Sequence, residues 1–242
     1  MRRLALLLTV ALLYAAPAYA QIARVNSTSA AVAAGAATTQ SLTSFAVTTG
    51  NSIFVITRTD DNPVTGVVDT AGNTYTLVGS ENTYTYFSMW KACSVAGNAS
   101  DVITITYAGS STYRASLAVQ YSGIAAACQD QVATGSITLA ATVTSGAFTT
   151  TQADEVIVAG VQVSNIGVTW TAGSTYTTNA TEDLLMIEDR IVSSIQTGIT
   201  AAATSSDASS HKTIVVGTFV KAATGGGGGP TQHFGTIMGA GR

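Results

Sequence analysis

The heptapeptide TAGNTYT at residues 70–76 returns as TAGSTYT at residues 171–177. The flanking sequence repeats with it. Residues 45–56 (FAVTTGNSIFVI) align with 148–159 (FTTTQADEVIVA), and residues 117–119 (LAV) align with 214–216 (IVV). The matched positions lie 103, 101 and 97 residues apart in turn. A steady one-way drift of this kind is what a duplicated unit with trimmed loops produces. In both copies, glycine followed by asparagine or serine supplies the backbone freedom that a tight turn between strands needs.

Outward from the turns, residues 52–58 (SIFVITR) and 155–163 (EVIVAGVQV) are apolar on both faces and bounded by turn formers. Such runs read as central, fully buried strands. Residues 83–91 (TYTYFSMWK) alternate instead. A strand there places Tyr84, Tyr86, Ser88 and Trp90 on one face and Thr85, Phe87, Met89 and Lys91 on the other. Residues 102–107 and 113–121 complete the first half, and residues 22–26 precede it as an edge strand. Five short strands can hide only one face of a sheet. The expected fold is therefore an all-β, two-sheet antiparallel β-sandwich of jelly-roll-like topology, with halves at about 41–122 and 145–222. Two tandem immunoglobulin-like domains are the alternative.

The ends carry different information. Residues 1–20 combine two arginines, an apolar run and small residues at Ala18 and Ala20. This is the layout of a secretory signal peptide cleaved before Gln21. The apolar run is shorter than the roughly 20 residues needed to cross a bilayer, so no membrane span is expected after cleavage. The β-sandwich domain then occupies residues 21–223. Residues 224–242 form a glycine-rich spacer and C-terminal tail.

Loss of Arg2 and Arg3 moves the formal charge from −3 to −5. With three lysines in the whole chain, nucleic acid is excluded as a partner, because phosphate binding needs clustered basic side chains. Cys93 and Cys128 are the two cysteines. In an exported protein, an even pair is expected to be bridged.

Catalytic signals are absent. The sequence has no HExxH, HxH or GxSxG arrangement, and His211 and His233 have no sequence neighbour that makes a site of them. The residual enzymatic reading is a glycoside hydrolase using Glu182, Asp183, Glu188 or Asp189. Glu188 and Asp189 would point to opposite faces of one strand, and no ExDxxE spacing occurs. No cofactor is expected other than calcium, for which Asp60, Asp61, Asn62, Asp69 and Asn73 gather oxygen ligands around a pair of turns; the same residues are ordinary turn formers. Ring platforms for a sugar are available at Trp170, Tyr176, Tyr84 and Tyr86. Of the tryptophans, Trp90 is assigned to the core and Trp170, next to a turn, to an exposed position. Asn26, Asn98 and Asn179 begin N-x-S/T sequons.

Taken together, GNTYT, MWKACSVAGNASDVITITY, SLAVQYSG and FTTTQADEVIVAG resemble a loose group of secreted bacterial and phage-associated β-sandwich domains, over residues 41–222. The resemblance implies a jelly-roll or lectin-like sandwich on or outside the cell, and it brings no functional residues with it. The expected function is a secreted, non-catalytic binding or adhesion module that contacts glycans or a cell-surface component. The alternative is a structural subunit of an extracellular filament or coat, self-associating through edge strands or the tail. A glycoside hydrolase is the third reading.

Overall fold

The computed structural model describes residues 21–223. The proposed signal peptide at 1–20 and the spacer and tail at 224–242, including His233, lie outside the described residues. The chain between them is all-β. Its strands are β1 (Ala23–Ser41), β2 (Phe45–Val47), β3 (Ser52–Thr59), β4 (Val64–Asp69), β5 (Thr76–Glu81), β6 (Tyr86–Ala92), β7 (Asn98–Asp101) and β8 (Ile103–Ser122). They continue as β9 (Ile124–Ile137), β10 (Thr142–Thr144), β11 (Glu155–Val163), β12 (Trp170–Thr171), β13 (Thr177–Glu182), β14 (Leu185–Val192), β15 (Ala202–Ser205) and β16 (Lys212–Lys221).

Two main antiparallel sheets pack face to face. The first runs β1-β8-β3-β6-β5, with β4 added on β8, and the second runs β9-β16-β11-β14-β13. Every residue of β3 and β11 is buried. That follows from their continuous apolar runs, which only a strand covered on both faces can use. The strands expected to be central and fully buried are thus the centres of two opposed sheets. Between them lie Phe54, Ile56, Phe87, Met89, Leu117 and Val119 from the first sheet and Val156, Val158, Leu185, Ile187, Val215 and Phe219 from the second. The rings of Phe54 and Phe219 meet across this interior with centroids 4.1 Å apart. Opposite Ile56 stands Gly160, and a Cβ at that position would overlap the Ile56 Cγ2 methyl.

The sandwich has more layers than its two main sheets. The outer face of the first sheet (Ile53, Val55, Ala92, Ala118) packs against Phe45, Val47, Val67, Ile103, Ile105 and Tyr107. Here the long β8 runs on from its pairing with β3 to pair β4 at its N-terminal end, and so folds its own cover over the sheet. The outer face of the second sheet (Ile157, Ala159, Ile214, Val216) lies under Val143, Phe148, Ala201 and Ala203, carried partly by the small sheet β10-β15-β12. The centre of each main sheet, β3 and β11, is consequently buried on both faces. The expectation that a five-stranded half hides only one face missed these short covering strands.

The face assignments also bear on the letter-by-letter alignment. Phe45 and Phe148 both cover outer faces, as do Tyr75 and Tyr176. Within the central strands the alignment sets Ile53 against Val156 and Leu117 against Ile214. One member of each pair faces the interior between the sheets and the other faces outward. A strand reverses faces at every residue, so the structural correspondence there is shifted by one position.

The Cys93–Cys128 disulfide forms. Cys93 follows β6 of the first sheet and Cys128 lies in β9, the edge strand of the second. The bond therefore staples the two sheets together.

Candidate functional site

On β6, Phe87 and Met89 point into the inter-sheet core, so Tyr86, Ser88 and Trp90 face outward. The covering layer buries Ser88 and touches Trp90, but leaves both rings partly uncovered. Pro63, Val64, Leu77, Ser80, Asn82, Tyr86, Ser88 and Trp90 line an open groove of about 110 Å³. Both rings are half-buried, with enough contact to be held and enough surface to be used. The Trp90 indole N–H donates to Ser88 Oγ at 2.9 Å, which fixes the ring's orientation. Leu77 pairs with Trp90 across the strands and remains 47% exposed. Tyr86 and Trp90, four positions apart on one strand, are spaced by about 13 Å. Two flat rings at this spacing, with the hydroxyls of Ser80 and Ser88 and the amide of Asn82 between and beside them, offer apolar faces and hydrogen bonds to an extended ligand.

Tyr84 leaves the expected alternation because β6 begins only at Tyr86. Its ring stacks on His211 of the loop before β16, with centroids 3.6 Å apart and planes 14° from parallel. Thr138 completes the group, hydrogen-bonded to the Tyr84 hydroxyl and to His211 Nδ1 at 3.0 Å. Tyr84 is 41% exposed. It lies two residues beyond Asn82 of the groove.

Trp170 and Tyr176 are placed differently from expectation. Trp170 packs against both the inter-sheet core and the outer core of the second sheet, and Tyr176 packs against the latter. The Trp170 Nε1 and Tyr176 hydroxyl are buried without a hydrogen-bond partner among the described residues. A residue beside a turn is not thereby fully exposed: β12 is the edge strand of the covering sheet, and Trp170 is half-buried there. Both tryptophans are half-buried and packed against core clusters, Trp90 on the outer core of the first sheet, and of the two Trp90 is the one that lines an open groove.

Glu188 sits beneath this cover, fully buried. Its Oε2 accepts the Gly173 N–H of the second TAG turn at 2.8 Å, while Oε1 has no partner. Burial pushes its pKa up to about 7, with the Gly173 hydrogen bond opposing the rise and the neighbouring charge of Asp189 adding to it. Burial, and then the charge of Glu188, likewise raise the Tyr176 hydroxyl. Asp189 points the other way, between the sheets, where it accepts Arg24 Nε at 2.6 Å and the Tyr121 hydroxyl. Asn179 Nδ2 donates to that hydroxyl at 2.7 Å, so this sequon amide is part of the inter-sheet network. Glu182 and Asp183 lie at the β13–β14 turn. The four carboxylates do not flank one cleft.

The calcium candidates separate into two groups. Asp60 pairs with Arg58 at 2.6 Å, and Asp61 accepts the Thr112 N–H at 2.7 Å and its hydroxyl. Asp69 accepts Asn73 N and Nδ2, each at 2.8 Å, and the Tyr75 hydroxyl at 3.0 Å. Residues 64–68 of β4, about 17 Å of extended chain, separate the groups, Asp69 being the strand's last residue. Among the described residues, no group of three or more His, Cys, Asp or Glu side chains is arranged to hold a metal ion. Asp61 and Asp69 here hold backbone N–H groups. A partner missed by the sequence reading is Asp101, fully buried, which accepts Thr70 Oγ1 at 2.7 Å and the Ala71 N–H at 3.1 Å and so anchors the first TAG turn.

No family model, no curated protein and no solved structure matches this chain.

Proposed function

We propose that this protein is an exported, non-catalytic glycan-binding module whose sugar platform is the groove of Tyr86 and Trp90. The observation that carries the reading is the pair of half-buried rings on one strand face, Trp90 held in orientation by Ser88, lining an open groove with Ser80, Asn82 and Ser88. Sugars present apolar C–H faces and rows of hydroxyls, and this lining supplies a partner for each. Export is supported by the leader-like sequence at 1–20 together with the inter-sheet disulfide, a bond at home in oxidising compartments.

The filament-subunit reading is weaker. The outer strands β1, β5, β9 and β13 all show register shifts against their neighbours, and bulged edges resist addition of a further strand.

The test is a glycan array followed by titration calorimetry. Trp90→Ala and Tyr86→Ala should each weaken binding at least about tenfold, the scale of losing a central aromatic contact. Trp170→Ala should leave ligand preference unchanged in the fraction that folds. Undiminished binding after removal of both groove rings would rule out the platform.

A further inference from the structure

A second cleft lies where the inter-sheet core ends, lined by Arg58, Asp60, Tyr113, Ser164, Asn165, Ile166 and Leu184, with a volume of about 210 Å³. Arg58 follows Phe54 and Ile56 on the inner face of β3, so alternation drives a guanidinium toward the opposing sheet. Its side chain is 3% exposed. Nε donates to Gln162 Oε1 of β11 at 3.3 Å, and Nη2 donates to Asp60 Oδ1 at 2.6 Å. A guanidinium has five N–H donors, and those of Nη1 have no protein partner among the described residues. Beside it the Nε2 of fully buried Gln162 is also unpartnered. At the rim, Tyr113 and Ile166 are 48% and 62% exposed. A desolvated cation with spare donors, beneath an apolar rim, is built for an anion attached to an apolar face.

We propose that this cleft is a carboxylate-binding site, taking a small acidic ligand whose carboxylate is held by Arg58 and whose apolar face rests on Tyr113 and Ile166. Asp60 occupies one side of the guanidinium when no ligand is present, and it competes with the ligand for that charge. The site is separate from the Tyr86–Trp90 groove and does not depend on glycan binding there. Two sources share the required chemistry: a uronic-acid residue of a glycan, and a free amphipathic acid.

The experiment titrates the wild-type protein, Asp60→Asn, Arg58→Gln and Tyr113→Ala with sodium glucuronate, sodium benzoate, glucose and sodium chloride, followed by calorimetry and amide chemical shifts. At least one of the two carboxylates should bind, and glucose and chloride should not. Asp60→Asn should tighten that binding roughly tenfold, the effect of deleting one like charge a few ångströms away in a partly hydrated cleft. Tyr113→Ala, at an exposed position that leaves the fold intact, should weaken it severalfold, and Arg58→Gln should abolish it. Preference for glucuronate identifies the sugar acid as the source, and preference for benzoate identifies the free acid. If Asp60→Asn binds neither carboxylate, or if Tyr113→Ala and Arg58→Gln bind as well as wild type, Arg58 only bolts the sheets together through Gln162 and the proposal fails.

Discussion

Replacing Glu188 by glutamine should remove a pH dependence from the stability of the whole sandwich. In the folded protein, burial raises this carboxyl from 4.5 to about 7, whereas the unfolded chain titrates it near 4.5. Between these values the unfolded state releases a proton that the folded state retains. The contribution of Glu188 is fully present below pH 4.5 and is lost as pH rises through 7, at about 1.4 kcal/mol per pH unit. Over the whole window the loss is ~3 kcal/mol, a large part of a typical domain's stability. Glutamine keeps the shape and an acceptor for the Gly173 N–H, and it does not ionise. Urea denaturation of both proteins from pH 4 to 8.5 at fixed ionic strength isolates the effect, since every other group, including Glu155, which is also pushed up to about 7, titrates in both. The stability of Glu188→Gln minus that of wild type should grow by ~3 kcal/mol between pH 4 and 8 and then level off. A difference that stays constant across the window would mean that Glu188 is hydrated and ionised in the folded state, and the sealed outer layer described above would be wrong.

Three further outcomes probe the layers. Reducing the Cys93–Cys128 bond opens a loop with a sequence separation of 35 and should cost ~3–4 kcal/mol on the chain-entropy account, read as a lowered urea midpoint in reductant that is absent in a Cys93→Ser/Cys128→Ser double variant. Phe219→Ala should destabilise by about 3–5 kcal/mol, because the ring is fully buried against Phe54, and a loss under 1 kcal/mol would argue against the inter-sheet core. Gly160→Ala should cost about 1–3 kcal/mol by overlap with Ile56, and combining it with Ile56→Ala should give less than the sum of the single effects.

The central strands were legible because β3 and β11 are apolar on both faces, a pattern that depends on burial and on nothing else. The pairing of the cysteines was legible for a similar reason, since only one partner existed for each. The covering strands were not. β2, β7, β12 and β15 have two to four residues each, too few for any period to emerge. Their stability comes from the sheet beneath rather than from their own sequence. That gap explains why the packing of Trp170 against two cores was not foreseen: its contacts depend on where β12 lies relative to its neighbours, a tertiary fact invisible in the letters around it. The Arg58 cleft was hidden for the opposite reason, because an arginine at the end of a buried strand looks like the strand's exit into solvent.

The two main sheets share one strand order, yet the same outer face of the corresponding strands β6 and β14 is used in opposite ways. On β14 that face carries Met186, Glu188 and Arg190 beneath Trp170, Tyr176 and the second TAG turn, and it is sealed tightly enough to hold a carboxyl near pH 7. On β6 it carries Tyr86, Ser88 and Trp90, and the layer above ends at Pro63 and Val64, leaving a groove. The strand order cannot account for this difference, because it is what the two sheets have in common. The aromatic, hydroxyl-bearing face left open on one side, and absent from its counterpart, is therefore where a binding function is to be sought.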